Sequence, residues 1–342
     1  MKAVGLYKYL PISDPESLID LEIEKPIPEN HDILVRVKAV SVNPVDAKIR
    51  SPKSQVETLP KILGWDASGI VEETGKGVSL FKKGDKVYYS GSIVRQGSNS
   101  EFQIVDERIV GRKPNNLTFE EAAALPLTTI TAWEGMFEQM CISNDSQESN
   151  KGKSILIIGG AGGVGSISIQ LAKKLAGLTV IASASRKETI NWCLSLGADY
   201  VINHYNNFSN ELNKIGIKEV DYIFCLNNTM QHFPKSAEIM KPFGRFCTIV
   251  GLNKGELLDL NMLRGKSASF SWELMFTKST YKTPDMIYQH NLLNKTADMV
   301  EKGIIKTTMT KNYGKLNAEN LRKAHAQIES GTTIGKVVLS VN

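Results

Sequence analysis

The sequence predicts an α/β protein in which a small antiparallel β-barrel is followed by a doubly wound parallel sheet. Three observations carry this expectation. Short strand-like runs punctuated by glycine and aspartate fill the first third of the chain. From Ser154 onward, apolar strand segments alternate with helical segments. A glycine-rich turn between residues 159 and 165 closes the first of those strands and opens the first of those helices. At 342 residues the chain also exceeds the usual span of one hydrophobic core, so two domains are expected.

The elements follow in order. Residues 32–40 alternate apolar and polar side chains with the period of a half-buried strand. Residues 67–75 and 81–89 read as further strands, and the glycines and aspartates between them mark turns. Several short strands with glycine turns suggest a small antiparallel barrel. Thr118-Phe119-Glu120-Glu121 then pairs a cap residue with a carboxylate three positions on, opening a helix through Leu125. A second helix is expected from about residue 131 to 139, and the polar residues 143–153 form a loop. Strand candidates beyond it are 155–158, 179–182, 200–202, 222–226 and 246–250. Helical stretches such as 166–175 and 187–196 separate them, which argues for a parallel sheet covered on both faces. A helix at 284–302, a short strand at 306–311 and the apolar run 335–341 complete the chain.

Composition excludes several classes. The chain is 42% apolar and 23% charged, ordinary for a globular protein. The N-terminus meets Pro11 and Asp14 too soon for a signal peptide, and no run of about 18 apolar residues occurs. A cytoplasmic enzyme with no membrane partner is expected. The net charge of +5, from 41 basic and 36 acidic residues, is dispersed, and no nucleic-acid partner is expected. The basic pairs Lys82-Lys83 and Lys173-Lys174 read as solvated helix ends or loops. The four cysteines, Cys141, Cys193, Cys225 and Cys247, form no C-x-x-C motif, and Cys225 and Cys247 sit in apolar strand runs.

The strongest motif is Ile155-Leu156-Ile157-Ile158-Gly159-Gly160-Ala161-Gly162-Gly163-Val164-Gly165-Ser166. Gly160, Gly162 and Gly165 fit G-x-G-x-x-G in the context that gives it meaning, after an apolar strand and before a helix. Glycine lets the chain turn tightly and lets a pyrophosphate approach the backbone, while the helix aims free N–H groups at that anion. Cofactor choice is read about twenty residues on, where an NAD enzyme places a carboxylate for the ribose hydroxyls. Here the chain reads Ser183-Ala184-Ser185-Arg186-Lys187, with no carboxylate before Glu188. Hydroxyls and two cations suit a 2′-phosphate, which favours NADPH, with Arg186 binding through charge-assisted hydrogen bonds. Ser185 either contributes there or caps the following helix.

The glycine turn, Ser183-Ala184-Ser185-Arg186 and Leu196-Gly197-Ala198-Asp199-Tyr200-Val201-Ile202-Asn203 together resemble the medium-chain dehydrogenase/reductase superfamily. So do Val42-Asn43-Pro44-Val45-Asp46, Gly64-Trp65-Asp66-Ala67-Ser68-Gly69, residues 122–133 and Gly335-Lys336-Val337-Val338-Leu339. Within the superfamily the chain resembles zinc-lacking quinone oxidoreductases, including the subgroup labelled zinc-type alcohol dehydrogenase-like. The resemblance implies a Rossmann domain, residues 128–278, inserted into a GroES-like β-barrel domain, residues 1–127 and 279–342.

Zinc alcohol dehydrogenases hold a catalytic ion with a Cys–His–Cys set. The matching positions here are Asn43, Trp65 and Leu127, and the lobe of four close cysteines that holds structural zinc is missing. No metal is expected. The resemblance implies that Ala161, Gly162, Gly163 and Val164 line the pyrophosphate, that Ser185 and Arg186 face the adenosine ribose phosphate, and that Ser183 lies close by. His204 matches a residue near the adenosine end, or else is an unrelated surface histidine. Val250 and Gly251 are expected near a ribose or the nicotinamide, and Thr131 and Lys336 near the nicotinamide half. Asn43, Lys48 and Thr131 are the catalytic candidates. Lys48 stands two residues after Asp46, where some relatives carry a tyrosine, and either orients a carbonyl oxygen or points into solvent. Asn227 and Asn228 stand in the loop beyond the fourth strand, where the family usually has small residues.

The expected reaction is hydride transfer from NADPH to a quinone. Without a Lewis acid to polarise a simple ketone, the acceptor must be intrinsically easy to reduce. Reduction of α,β-unsaturated aldehydes or ketones is the alternative with the same cofactor. An NADPH-binding sensor or nucleic-acid binder with little catalysis is the alternative of another class. Family resemblance also implies a homodimer through the edge of the nucleotide-binding sheet, with residues 267–272 near that edge or else buried within the chain.

Overall fold

The computed structural model describes residues 1–341. Two compact units divide it, Met1–Ile130 with Phe276–Asn342, and Thr131–Met275. The second is inserted into the first. In chain order the elements are β1 (Lys2–Tyr9), β2 (Ile19–Glu22), β3 (Asp32–Val42), α1 (Pro44–Arg50), β4 (Lys53–Ile62), β5 (Asp66–Thr74), β6 (Lys86–Ser90), β7 (Phe102–Asp106), β8 (Val110–Arg112), α2 (Phe119–Ala123) and α3 (Pro126–Trp133). The inserted part carries β9 (Ser154–Ile158), α4 (Gly163–Lys174), β10 (Thr179–Ser183), α5 (Lys187–Ser195), β11 (Tyr200–Ile202), α6 (Phe208–Lys214), β12 (Val220–Cys225), α7 (Thr229–Ile239), β13 (Met240–Thr248), α8 (Asn261–Arg264) and β14 (Ser269–Trp272). The chain ends with α9 (Thr277–Tyr281), α10 (Ile287–Glu301), β15 (Met309–Lys315), α11 (Ala318–Glu329) and β16 (Lys336–Ser340).

The first unit holds two sheets. β2, β1 and β4 form a small antiparallel one. The larger runs β15-β16-β3-β5-β6-β8 and is built around the long strand β3. One edge of β3 takes β7 along Asp32–Arg36 and β16 along Ala39–Val42, while the other takes β5. The returning C-terminal segment is thus part of the barrel. Helix α10 packs on β8, where the Tyr88 hydroxyl donates to Leu293 O at 2.6 Å and Arg112 pairs with Asp298 and Glu301.

The second unit is a six-stranded parallel sheet in the order β11-β10-β9-β12-β13-β14. All five residues of β9 are buried, as a central strand covered on both faces requires. Leu156, Ile181, Ile223 and Phe246 belong to the buried core of this unit, with Phe233 edge-on to Phe246 at 5.3 Å. Truncating Leu156 to alanine there costs about 2–5 kcal/mol. Strand β14 ends the sheet, so residues 269–272 are an edge, and Trp272 is 46% exposed. No helix of the described residues is long and apolar enough to cross a membrane.

Local chemistry explains where expectation and structure differ. Of residues 81–89 the strand takes only Lys86 onward, because Lys82 N donates to Asp85 Oδ2 and Gly84 takes φ +94°, closing a turn. The helix expected at 131–139 begins earlier, with Pro126 in its first turn, and winds into a π-helical segment over Glu134–Gln139. The strand expected at 306–311 lies at Met309–Lys315. The capping box at Thr118 is present: Glu121 N donates to Thr118 Oγ1 at 3.1 Å, and Thr118 N donates to Glu121 Oε2 at 2.9 Å.

Candidate functional site

On the second unit, the turn after β9 reverses within a few residues. Gly159 adopts φ +86°, a conformation that favours glycine, and its N–H donates to Ser183 Oγ at 3.0 Å. Gly160 N donates to Ser183 O at 3.1 Å. Ser183 therefore braces the glycine turn from β10. A Cβ on Gly165 would sit 2.4 Å from Gly159 O, so this glycine is what lets α4 close on the turn. A Cβ on Gly162 would meet nothing nearer than 3.6 Å, so the space above it is open. Gly162 caps α4 without a side-chain hydrogen bond, and Gly163, Val164 and Gly165 occupy the first turn, where N–H groups have no intrahelical acceptor. A tight turn, an open face and free donors fit a bound pyrophosphate.

At the end of β10, Ser185 is half-buried while Arg186 and Lys187 are exposed. The cap of α5 is Arg186 rather than Ser185. Its N–H donates to Thr189 Oγ1 at 3.1 Å and its carbonyl accepts from the same hydroxyl at 2.7 Å. His204 follows β11, half-buried, with Nδ1 buried and unpartnered among the described residues and its ring 4.4 Å from Tyr205. Burial lowers its pKa. Val250 O accepts from the Thr229 hydroxyl at 2.6 Å, and Gly251 beside it is exposed. Asn228 caps α7 in the left-handed region, accepting from Gln231 N at 3.1 Å. Thr131 is buried in α3.

On the first unit, the remaining candidates divide. Lys48 is exposed and lines a recess of about 500 Å³ with Ser51, Ile328 and Glu329. Asn43 and Lys336 are instead buried together. The register sets Val337 opposite Val42 and Asp66 opposite Ser41, so β16 and β5 deliver Lys336 and Asp66 to the same end of β3. Lys336 Nζ donates to Val42 O at 3.0 Å and to Asn43 Oδ1, and lies 3.2 Å from Asp66 Oδ2. Asn43 Nδ2 donates to Asp66 Oδ2 at 2.8 Å, and Leu127 N donates to Asp66 Oδ1 at 2.7 Å. Asp46, one turn into α1, accepts the Asn43 backbone N–H at 2.5 Å.

Burial pushes the Asp66 carboxyl up and the Lys336 ammonium down, and their mutual attraction opposes both shifts. Three acceptors around Nζ match the three donors of an ammonium, so the pair is ionised. Burial also raises Asp46 to about 7 against the pull of the Asn43 N–H, Lys336 and the Gly64 N–H. Asp46 and Asp66 were not among the sequence candidates. Their signal was a carboxylate within the segments matched to the family, against a lysine in the apolar run 335–341.

The metal-ligand positions do not suit zinc. The Trp65 indole N–H donates to Ser92 O at 3.0 Å, Leu127 offers hydrocarbon, and the Asn43 oxygen faces the Lys336 ammonium. Among the described residues no group of three His, Cys, Asp or Glu side chains is placed to hold a metal ion.

Residues 29–148 match the alcohol dehydrogenase GroES-like domain and residues 196–339 match the zinc-binding dehydrogenase family. A zinc-type alcohol dehydrogenase-like protein of Staphylococcus aureus is 45% identical over 341 residues, covering all of both chains. A candidate zinc-dependent alcohol dehydrogenase of Rhizobium etli has a solved structure similar to this one, with TM-score 0.93, 48% identity and coverage of 99% of this chain and 98% of that one. The quinone oxidoreductase of Escherichia coli, solved with NADPH, gives TM-score 0.81 at 25% identity, covering 99% of this chain and all of the other. With a GroES-like barrel, an inserted Rossmann sheet and full-length relatives of this kind, the chain belongs to the medium-chain dehydrogenase/reductase superfamily of oxidoreductases.

Proposed function

We propose that this oxidoreductase uses NADPH to reduce quinones without zinc. The observation that carries the reading is the cradle on the second unit: an open glycine turn at a helix N-terminus, followed at the end of the next strand by two exposed cations and no carboxylate. Ala161, Gly162, Gly163 and Val164 hold the pyrophosphate, and Ser185 and Arg186 hold the ribose phosphate, with charge-assisted hydrogen bonds from the guanidinium. His204, Val250, Gly251 and Thr131 complete the cofactor's surroundings. Bound there, NADPH supplies a hydride from its nicotinamide ring.

The chain's own residues bind, orient and exclude water. On the first unit, the family's metal-ligand positions carry an amide, an indole and a hydrocarbon, with a buried ammonium beside them. No Lewis acid is built from such a set, and quinones need none. Similarity to the E. coli quinone oxidoreductase supports the same acceptor class. Changing Arg186→Ala weakens NADPH far more than NADH in a binding titration, and equal effects on both contradict the assignment.

The reading extends to a cytoplasmic homodimer that pairs through the open edge at β14, where Trp272 is exposed. Light scattering tests it, and a monomer at working concentration removes the dimer.

A further inference from the structure

We propose that Lys336 and Asp66 are positioning residues that lock the Asn43 amide so that its second N–H is presented to the oxygen of the acceptor being reduced. The proposal rests on the reductase reading above and deepens it.

An asparagine amide exchanges oxygen and nitrogen by a half-turn about its last bond, and only its neighbours decide the orientation. Here both neighbours decide it the same way. The Lys336 ammonium is donor-only, so the atom facing it is Oδ1. The Asp66 carboxylate is acceptor-only, so the atom 2.8 Å from it is Nδ2. A half-turn would set N–H against ammonium and carbonyl against carboxylate at once.

Nδ2 carries two hydrogens, and Asp66 takes one. The other has no acceptor among the described residues; Asp46 accepts the Asn43 backbone N–H, not the amide. Asn43 is only 1% exposed, so this second hydrogen is largely withdrawn from water with no protein acceptor in its place. Lys336 has spent its donors on Val42 O, Asn43 Oδ1 and Asp66, so it acts through Asn43 and not on the substrate directly.

The chemistry supplies the missing acceptor. Hydride addition to a quinone or enone moves an electron pair onto the carbonyl oxygen, and NADPH is oxidised as the acceptor gains two electrons. A fixed N–H in a dry site stabilises that developing oxyanion more than the neutral carbonyl. The amide keeps its hydrogens, and the oxyanion takes its proton from water.

The test uses the full-length protein with NADPH and a benzoquinone, comparing wild type, Asn43→Leu and the double variant Lys336→Met/Asp66→Asn. Both variants are expected to lose about 100-fold in kcat while NADPH affinity stays within about threefold. The kinetic isotope effect with nicotinamide-deuterated NADPH is expected to rise as hydride transfer becomes the slow step, a change that a merely structural role would not cause. Unchanged kcat in the folded double variant overturns the proposal. So does a loss of NADPH affinity matching the loss of rate, since Lys336 would then serve the cofactor. If the double variant does not fold, Asn43→Leu decides alone, and wild-type kcat there overturns it. Wild-type protein that binds NADPH but reduces no acceptor fails the reductase reading itself.

Discussion

Lys336 Nζ lies 3.2 Å from Asp66 Oδ2, and both side chains are almost completely buried. Each has given up its water, and each is tolerable only because the other is there. Breaking such a pair from one side leaves an unpaired buried charge, which costs about 3–5 kcal/mol. Lys336→Met is therefore expected to lower the melting temperature sharply. Lys336→Met/Asp66→Asn removes both charges and is expected to recover most of the loss. A double variant no more stable than the single one contradicts this account of the pair.

The two glycines of the phosphate turn separate folding from binding. Gly165→Ala places a methyl 2.4 Å from the Gly159 carbonyl oxygen and 2.6 Å from that of Gly160, so it destabilises the unit whether or not NADPH is present. Gly162→Ala meets no protein atom closer than 3.6 Å and should leave the melting temperature of the free protein nearly unchanged. Its methyl instead enters the space assigned to the pyrophosphate, so NADPH affinity should drop at least tenfold, about 1.4 kcal/mol. Calorimetric titration and thermal melts of both variants check this; normal NADPH binding by Gly162→Ala contradicts the assigned cradle.

These glycines also show what was legible in the sequence. Their spacing, with an apolar strand before and a helix after, encodes local structure, and local structure is what a sequence displays most directly. The capping box at Thr118 is legible for the same reason. The Asn43–Asp66–Lys336 cluster is not, since Asn43 and Lys336 are 293 residues apart and meet only through the register of β16 on β3. Strand β4 was missed because it is an edge strand, exposed over most of its length, and lacks an apolar face to give it a period. Lys48 shows the converse. A position matched to a family residue says where the backbone lies, while the side chain here lines an exposed recess.

His325 in α11 makes acid stability a test of the first unit. Both ring nitrogens are buried and without hydrogen-bond partners among the described residues, and burial, with Arg50 nearby, pushes the pKa down to about 3. A histidine in the unfolded chain titrates near 6.5. Because the folded value is depressed, the neutral ring contributes stability that is present above about pH 6.5 and lost as pH falls toward 3, at up to roughly 1.4 kcal/mol per pH unit. His325→Leu is expected to flatten the decline between about pH 6 and pH 4. His232 on the second unit, lowered to about 4, adds its own acid sensitivity, so the difference between wild type and variant is what is read. Parallel pH curves for the two proteins contradict the prediction.

The thiols divide sharply. Cys141 is exposed, whereas Cys193, Cys225 and Cys247 are buried and pushed up to about 12 by desolvation. Thiolate is the reactive form, so the native protein should react with a maleimide at Cys141 and resist at the other three until it is unfolded. Mass spectrometry of the labelled protein locates the sites, and rapid native labelling of Cys225 contradicts its place in the core of the parallel sheet.

Zinc-independent reduction of quinones by NADPH is read from the loss of nicotinamide absorbance when chelator-treated protein is mixed with NADPH and a panel of quinones and enones, with NADH in parallel. Quinones are expected to turn over at a rate that chelation does not reduce and that is faster with NADPH than with NADH. NADPH binding with no turnover of any acceptor contradicts it.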